Sequence, residues 1–338
     1  MISSLWMKSF FYFYRKGNSM LISILLLIFG FVILIKGADF FVDGAVGIAN
    51  KLKISKMLIG LTIVSFGTSA PEFAVSIKSM LIGSGDMVLG NVIGSNIINI
   101  LLIIGCSATV HSLVVKNNTV KKELPIVMLI TMLFGVLLSD NLFDNFKNTF
   151  TRSDGIVLIL FFAVFLYYLI KMARRKASEE EIEKEEEKSI SLKKAILLTV
   201  IGITGIILGS NFVVDSACDI AKILGVSERL ISLTIIALGT SLPELVTSVT
   251  ATLKGEYDIA IGNVVGSNIF NIGIVVGVPV AILGGIGTIA FSYIDILVMV
   301  VSAFVLFLFS FDDYRITRKE GIMLLLLFIF YYGYVIVF

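Results

Sequence analysis

The chain is short of most of what a soluble enzyme is built from. Only 15% of its 338 residues are charged, against about a quarter in soluble globular domains. It has one histidine, His111, which removes most imidazole-based catalysis and metal binding. Cys106 and Cys218 are the only cysteines, both in apolar runs. Two are too few for a disulfide framework or a zinc site. The net charge is +2, so no basic field exists to hold a polyanion such as nucleic acid. There is no phosphate-cradling loop and no nucleophile–base pair, so neither a nucleotide site nor a catalytic set is expected. What is present is apolar: 57% of residues are hydrophobic and the mean hydropathy is +1.00. This composition excludes a disordered chain and describes a polytopic membrane protein. Its few polar residues inside apolar runs are the ones to carry function.

A membrane-crossing helix needs about 20 predominantly apolar residues. Ten segments qualify, at 20–44, 57–82, 88–108, 124–139, 154–170, 195–217, 229–253, 259–283, 292–310 and 320–337. The expected fold class is therefore all-α, with ten transmembrane helices. Residues 1–19 are aromatic, interrupted by Lys8 and too short in apolar length to span, and read as an interfacial segment. Residues 171–194 hold seven glutamates between Glu179 and Glu187 and read as a solvated, partly helical linker. Lys and Arg collect on cytoplasmic loops. With the linker cytoplasmic, eighteen fall inside and eight outside, which places both termini outside the cell membrane. The cluster Lys8, Arg15 and Lys16 runs against that bias.

The chain repeats itself. Residues 58–108 align without a gap on 230–280, with 24 of 51 positions identical. Gly37, Phe40, Val42 and Asp43 fall on Gly209, Phe212, Val214 and Asp215 at the same offset, and Glu123 falls on Asp295. The expected organisation is an N-terminal segment 1–19, a five-helix repeat 20–170, the linker 171–194 and a second five-helix repeat 195–338. An odd number of spans per unit makes the second unit enter the membrane from the opposite side. Inverted repeats of this kind build secondary transporters, with the site at the midplane between them.

The second and seventh segments contain Gly67-Thr68-Ser69-Ala70-Pro71-Glu72 and Gly239-Thr240-Ser241-Leu242-Pro243-Glu244. A charge at mid-membrane costs about 2.5–3.5 kcal/mol on insertion scales. No Lys or Arg stands nearby to neutralise it: none occurs at 57–77, 89–115, 230–253 or 259–314. The two glutamates therefore call for a cation or for protons. Thr68, Glu72 and Ser76 share one helical face, as do Thr240, Glu244 and Ser248. Pro71 and Pro243 have no N–H for the carbonyls of Gly67 and Gly239. Carbonyls around Ser65–Gly67 and Ala237–Gly239 thus become candidate ligands. Segments three and eight contain Gly90-Asn91-Val92-Ile93-Gly94-Ser95-Asn96-Ile97-Ile98-Asn99 and Gly262-Asn263-Val264-Val265-Gly266-Ser267-Asn268-Ile269-Phe270-Asn271. Their glycines suit close helix packing; Ser95, Asn99, Ser267 and Asn271 read as ligands. The inventory is oxygen only, which suits calcium, magnesium, manganese or alkali ions.

These paired G-T-S-x-P-E and G-N-x-x-G-S-N-x-x-N motifs resemble those of the calcium/cation antiporter superfamily, in particular its prokaryotic sodium/calcium exchangers. The resemblance covers residues 20–338. It implies Glu72 and Glu244 as central ligands shared by calcium and sodium, with Thr68 and Thr240 reaching calcium through their backbone carbonyls. It further implies Ser69, Ser95, Ser241 and Ser267, with carbonyls of Ser65 and Ala237, at sodium sites, and Asn99 and Asn271 at the centre. Relatives carry Asp where this chain has Asn271, and the lower fixed charge reads as exchange without potassium. Cation/proton exchangers resemble G-N-x-x-E where this chain has Gly94 and Gly266. The resemblance implies electrogenic alternating-access antiport and calcium extrusion. The transported ions would be Ca2+ and Na+, with no cofactor and a functional monomer in the lipid bilayer. A proton-coupled divalent antiporter and a cation channel are the alternatives.

Overall fold

The computed structural model of the protein describes residues 20–139, 149–174, 190–226, 234–235, 237–288 and 292–337. The interfacial segment 1–19, most of the 171–194 linker and the opening of the 229–253 segment lie outside the described residues. The helices are α1 (Met20–Leu52), α2 (Lys56–Thr68), α3 (Ala70–Leu81), α4 (Gly85–Val110), α5 (Leu124–Leu137), α6 (Arg152–Ala173), α7 (Leu192–Ile223), α8 (Ala237–Thr240), α9 (Leu242–Leu253), α10 (Tyr257–Leu283), α11 (Tyr293–Phe311) and α12 (Arg318–Val337). Seven of these are long and apolar enough to cross a membrane, and α2 with α3 forms an eighth, bent by 46°. The expected segment 124–139 yields only the 14 residues of α5, preceded by a π-helical turn at Thr119–Glu123. In the segment 229–253, α8 and α9 account for the described helix.

The helices α1 and α7 outrun their expected segments 20–44 and 195–217. Hydropathy places the apolar stretch, but caps end the helix. Lys53 adopts a left-handed φ of 53° just after α1, a helix-stopping conformation. Ser191 caps α7, its Oγ accepting from the Lys194 N–H at 3.4 Å.

Burial separates centre from periphery. In α4 and α10, 72% of the apolar window is buried, against 22% in α1 and 17% in α12. The side chains of α1 and α12 that remain exposed are large and apolar, Phe29, Ile35 and Phe330 among them, as lipid contact requires. Gly60 and Gly262 let α2 and α10 approach until a Cβ on Gly60 would stand 3.0 Å from the Gly262 Cα. The long helices α1 and α7 pack along most of their length through glycines. A Cβ on Gly202 would lie 2.4 Å from the Phe41 backbone nitrogen.

The connections gather at two ends. At one end Lys56 pairs with Glu256 at 2.9 Å, Lys116 with Asp258 at 2.8 Å and Lys254 with Asp43 at 2.7 Å. There β1 (Leu113–Val114) pairs with β4 (Arg315–Ile316), both strands antiparallel. At the other, β2 (Thr149–Phe150) pairs antiparallel with β3 (Ile286–Thr288), and Ile286 packs on Gly85. Asp43 lies within α1, nine residues before its end, and is an ion-pair residue.

A side chain at position 202 would collide with backbone, which cannot give way as a flexible side chain can. Overpacking typically costs about 1–3 kcal/mol. Gly202→Leu is expected to lower the unfolding temperature of the detergent-purified protein and to abolish transport. Gly333→Leu, where a Cβ meets nothing within 4 Å among the described residues, is expected to do neither.

Candidate cation site

Both halves break their helix at the same place and in the same way. Ser69 has φ −85° and ψ 5°, and Ser241 has φ −89° and ψ 5°. Pro71 and Pro243 stand in the first turn of α3 and α9, where a missing N–H is harmless to the new helix. Glu72 and Glu244 also fall in those first turns. The positive end of each helix dipole therefore lies beside a carboxylate. Each glutamate is only 1% exposed.

The surroundings are hydroxyl and amide groups. Ser69 Oγ donates to Glu244 Oε1 at 2.9 Å and lies 3.0 Å from Ser267 Oγ. Ser241 Oγ is 3.3 Å from Ser95 Oγ. Both contacts cross between the halves, so four helical elements, α2–α3, α4, α8–α9 and α10, converge on one locus. Of the residues expected there, Thr68, Ser69, Glu72, Ser95, Asn99, Ser241, Glu244, Ser267 and Asn271 are all buried; the contacts above join Ser69, Glu244, Ser267, Ser241 and Ser95, while Asn99 and Asn271 pair with Asn268 and Asn96 on the same two helices, α10 and α4. Thr240 ends α8, half-buried, and Ala237 is the first residue of that helix.

Thr68 turns its hydroxyl to the carbonyl of Val64 at 3.1 Å, and it also lies 3.1 Å from Asn263 Oδ1. Its side chain is thus occupied within the protein, which leaves its main chain as the part available to a ligand. The Ser65 carbonyl accepts the Ser69 N–H at 3.0 Å and lies 3.4 Å from the Thr68 hydroxyl. The Ser65 hydroxyl fills the space beside Gly266, where a Cβ would stand 2.6 Å from it.

Several oxygens at this locus have no donor. Both Glu72 oxygens, Glu244 Oε2, Asn99 Oδ1 and Asn271 Oδ1 are buried without a hydrogen-bond partner. Leaving one such acceptor unsatisfied costs about 1–3 kcal/mol, more when it is charged. Among the described residues no Lys or Arg pairs with either glutamate; lysines pair instead with Asp39, Asp43, Glu256 and Asp258. A hard cation is the partner that this donor set fits.

Four polar residues here were quoted within the motifs but not singled out as functional. Asn263 Nδ2 donates to Ser248 Oγ at 2.9 Å and to the Glu244 carbonyl at 3.4 Å. Asn91 Nδ2 does the same to Ser76 Oγ at 3.5 Å and the Glu72 carbonyl at 3.4 Å. Each ties the helix that carries a glutamate to its neighbour. Asn96 and Asn268 pair with Asn271 and Asn99 across the halves. The signal that marks them is the spacing G-N-x-x-G-S-N itself, repeated in both halves. The π-helical turns Ile98–Ile104 and Asn271–Val276 have no evident signal in the sequence. Such turns occur often at functional sites.

A membrane transporter is what this fold and locus define. The chain belongs to the sodium/calcium exchanger protein family, whose profile matches residues 22–171 and 194–337. It is 39% identical over 319 residues to CaxA of Alkalimonas amylolytica, covering 92% of this chain and 98% of that protein. It is 30% identical over 347 residues to the sodium/calcium exchanger MaX1 of Methanosarcina acetivorans, covering 94% and 98%. Among solved structures, the sodium-calcium exchanger NCX_Mj soaked without Na+ and Ca2+ superposes with a TM-score of 0.79 at 29% identity, covering 94% of this chain and all of that one.

Binding to the folded state alone raises stability by about 2.7 kcal/mol at a hundred times the dissociation constant. Saturating calcium is therefore expected to raise the unfolding temperature of the wild-type protein. Glu72→Gln and Glu244→Gln should abolish that rise while still yielding inserted, monodisperse protein. A calcium-dependent rise that survives both substitutions would place the binding site elsewhere.

Proposed function

We propose that the protein is an electrogenic sodium/calcium antiporter working by alternating access, with Ca2+ and Na+ competing for one set of oxygens between its halves. The observation that carries the reading is the pair of buried glutamates, with unpartnered oxygens and no Lys or Arg among the described residues paired to them. Glu72 and Glu244 act as the shared ligands. The main-chain carbonyls of Thr68 and Thr240 join them on calcium. Ser69, Ser95, Ser241 and Ser267, with the carbonyls of Ser65 and Ala237, hold sodium, and Asn99 and Asn271 line the centre. Calcium and sodium cannot fill the set together, because each needs the same carboxylates. Occupancy by one releases the other, which is the physical basis of exchange.

The chain is organised as ten spans in two inverted five-helix units, 20–170 and 195–338, joined by a cytoplasmic linker. Family similarity that falls into two stretches on either side of the linker supports this division. Gathering of Lys56, Lys116 and Lys254 at one end of the molecule supports that end as cytoplasmic. Both termini then lie outside the cell membrane. The α1–α7 pair slides across the remaining helices to open the site to one side and then the other. Three sodium ions entering for one calcium leaving carry one net charge inward. The membrane potential contributes about 2.3 kcal/mol per charge per 100 mV, so an energised cell drives calcium out.

Radiolabelled calcium uptake into proteoliposomes tests this. Sodium-loaded vesicles are expected to accumulate calcium, and an inside-positive potential to speed it. Potassium- or choline-loaded vesicles should not accumulate it. Uptake driven by a pH gradient alone would transfer the coupling to protons; conductance without a counter-ion would make the protein a channel. The sodium assignment has its own check. Ser69→Ala is expected to raise the half-saturating sodium concentration more than that of calcium, because its hydroxyl serves sodium while the carboxylates dominate calcium binding.

A further inference from the structure

Four asparagines meet where α4 and α10 cross, and only Asn99 and Asn271 belong to the ligand set proposed above. A carboxamide presents an oxygen on one side and an NH2 on the other. Toward a cation only the oxygen is of use. Which way round the group sits is decided by its hydrogen-bond neighbours.

Here the order is traceable from a group that has no choice. The main-chain carbonyl of Asn96 can only accept, and Asn268 Nδ2 donates to it at 3.5 Å. That turns Asn268 Oδ1 the other way, where it accepts from Asn99 Nδ2 at 2.8 Å. With its nitrogen so engaged, Asn99 keeps its oxygen for another partner, and that oxygen is buried with no donor. Asn271 has the equivalent pairing: its Nδ2 donates to Asn96 Oδ1 at 3.4 Å and its Oδ1 has no donor, but Asn96 Nδ2 is itself buried without a partner, so here no fixed acceptor sets the order. Each carboxamide is thus held by an asparagine of the opposite half. All four residues are 1% exposed, so water does not substitute for these contacts.

We propose that Asn268 and Asn96 are positioning residues that turn the carboxamide oxygens of Asn99 and Asn271 toward the transported cation. They do not touch the ion themselves. The proposal rests on the reading of Asn99 and Asn271 as ion ligands. It makes the cross-half amide pairs a device for the polarity of the site as well as for helix association. Loss of a group that orients a ligand typically weakens metal binding by roughly 10–100-fold.

The test uses the fact that a carboxylate has no wrong way round. An aspartate at position 99 offers oxygen on both sides and gives Asn268 Oδ1 nothing to accept, so Asn268 has no orienting task left. Half-saturating calcium is measured by uptake into sodium-loaded proteoliposomes and by calcium binding to the full-length protein in detergent. The proteins are wild type, Asn268→Leu, Asn99→Asp and the double variant. Asn268→Leu is expected to raise half-saturating calcium roughly 10–100-fold in the wild-type background and less than about twofold in the Asn99→Asp background, a strong non-additivity. The same design with Asn96→Leu and Asn271→Asp gives an independent reading should Asn268→Leu fail to insert. An equal loss in both backgrounds would show that Asn268 only packs, and would overturn the proposal while leaving the ion site intact. Wild-type protein that neither binds nor transports calcium would overturn the underlying reading, and this one with it.

Discussion

Two carboxylates held inside a membrane protein, with no Lys or Arg among the described residues paired to them, are the constraint on which the rest depends. Charge in that setting is costly, and the usual remedy, a buried salt bridge, is not used. Glu72 and Glu244 instead sit at the first turns of α3 and α9, where the helix dipoles oppose their charge. Hydroxyls and carboxamides surround them, yet neither oxygen of Glu72 receives a hydrogen bond. Such a site is stable only with a cation or proton in it. A site that must be refilled each time it empties is suited to exchange.

The halves repeat this solution down to backbone angles at Ser69 and Ser241 and to the Asn91 and Asn263 ties. They do not repeat it in every contact. Glu244 accepts a hydroxyl from Ser69, whereas neither oxygen of Glu72 has a donor. Equivalent positions thus carry different contacts in one structure. Two halves in different conformations have that property, and exchanging those conformations is how inverted repeats open to either side.

Much of the fold was legible because membrane crossing imposes a simple rule on composition. Apolar runs located α1, α4, α6, α7, α10, α11 and α12, and the gapless repeat flagged both broken helices. The helix ends were less legible, since caps such as Ser191 and the left-handed Lys53 extend α1 and α7 beyond their apolar portions. Among site residues, the glutamates stood out because charge in an apolar run is rare. Asn96 and Asn268 did not, because an asparagine that orients another looks in sequence like one that merely packs.

The sequence by itself determined the membrane class, the duplication and the acidic pair, since each follows from local composition or from comparing the chain with itself. Tertiary structure decided which oxygens are left without donors and which way the carboxamides turn. Those depend on contacts such as Ser69 with Glu244, Thr68 with Asn263 and Asn99 with Asn268. Their partners lie on opposite halves of the chain, and only packing of α2–α3 and α4 against α8–α9 and α10 brings them within hydrogen-bond reach.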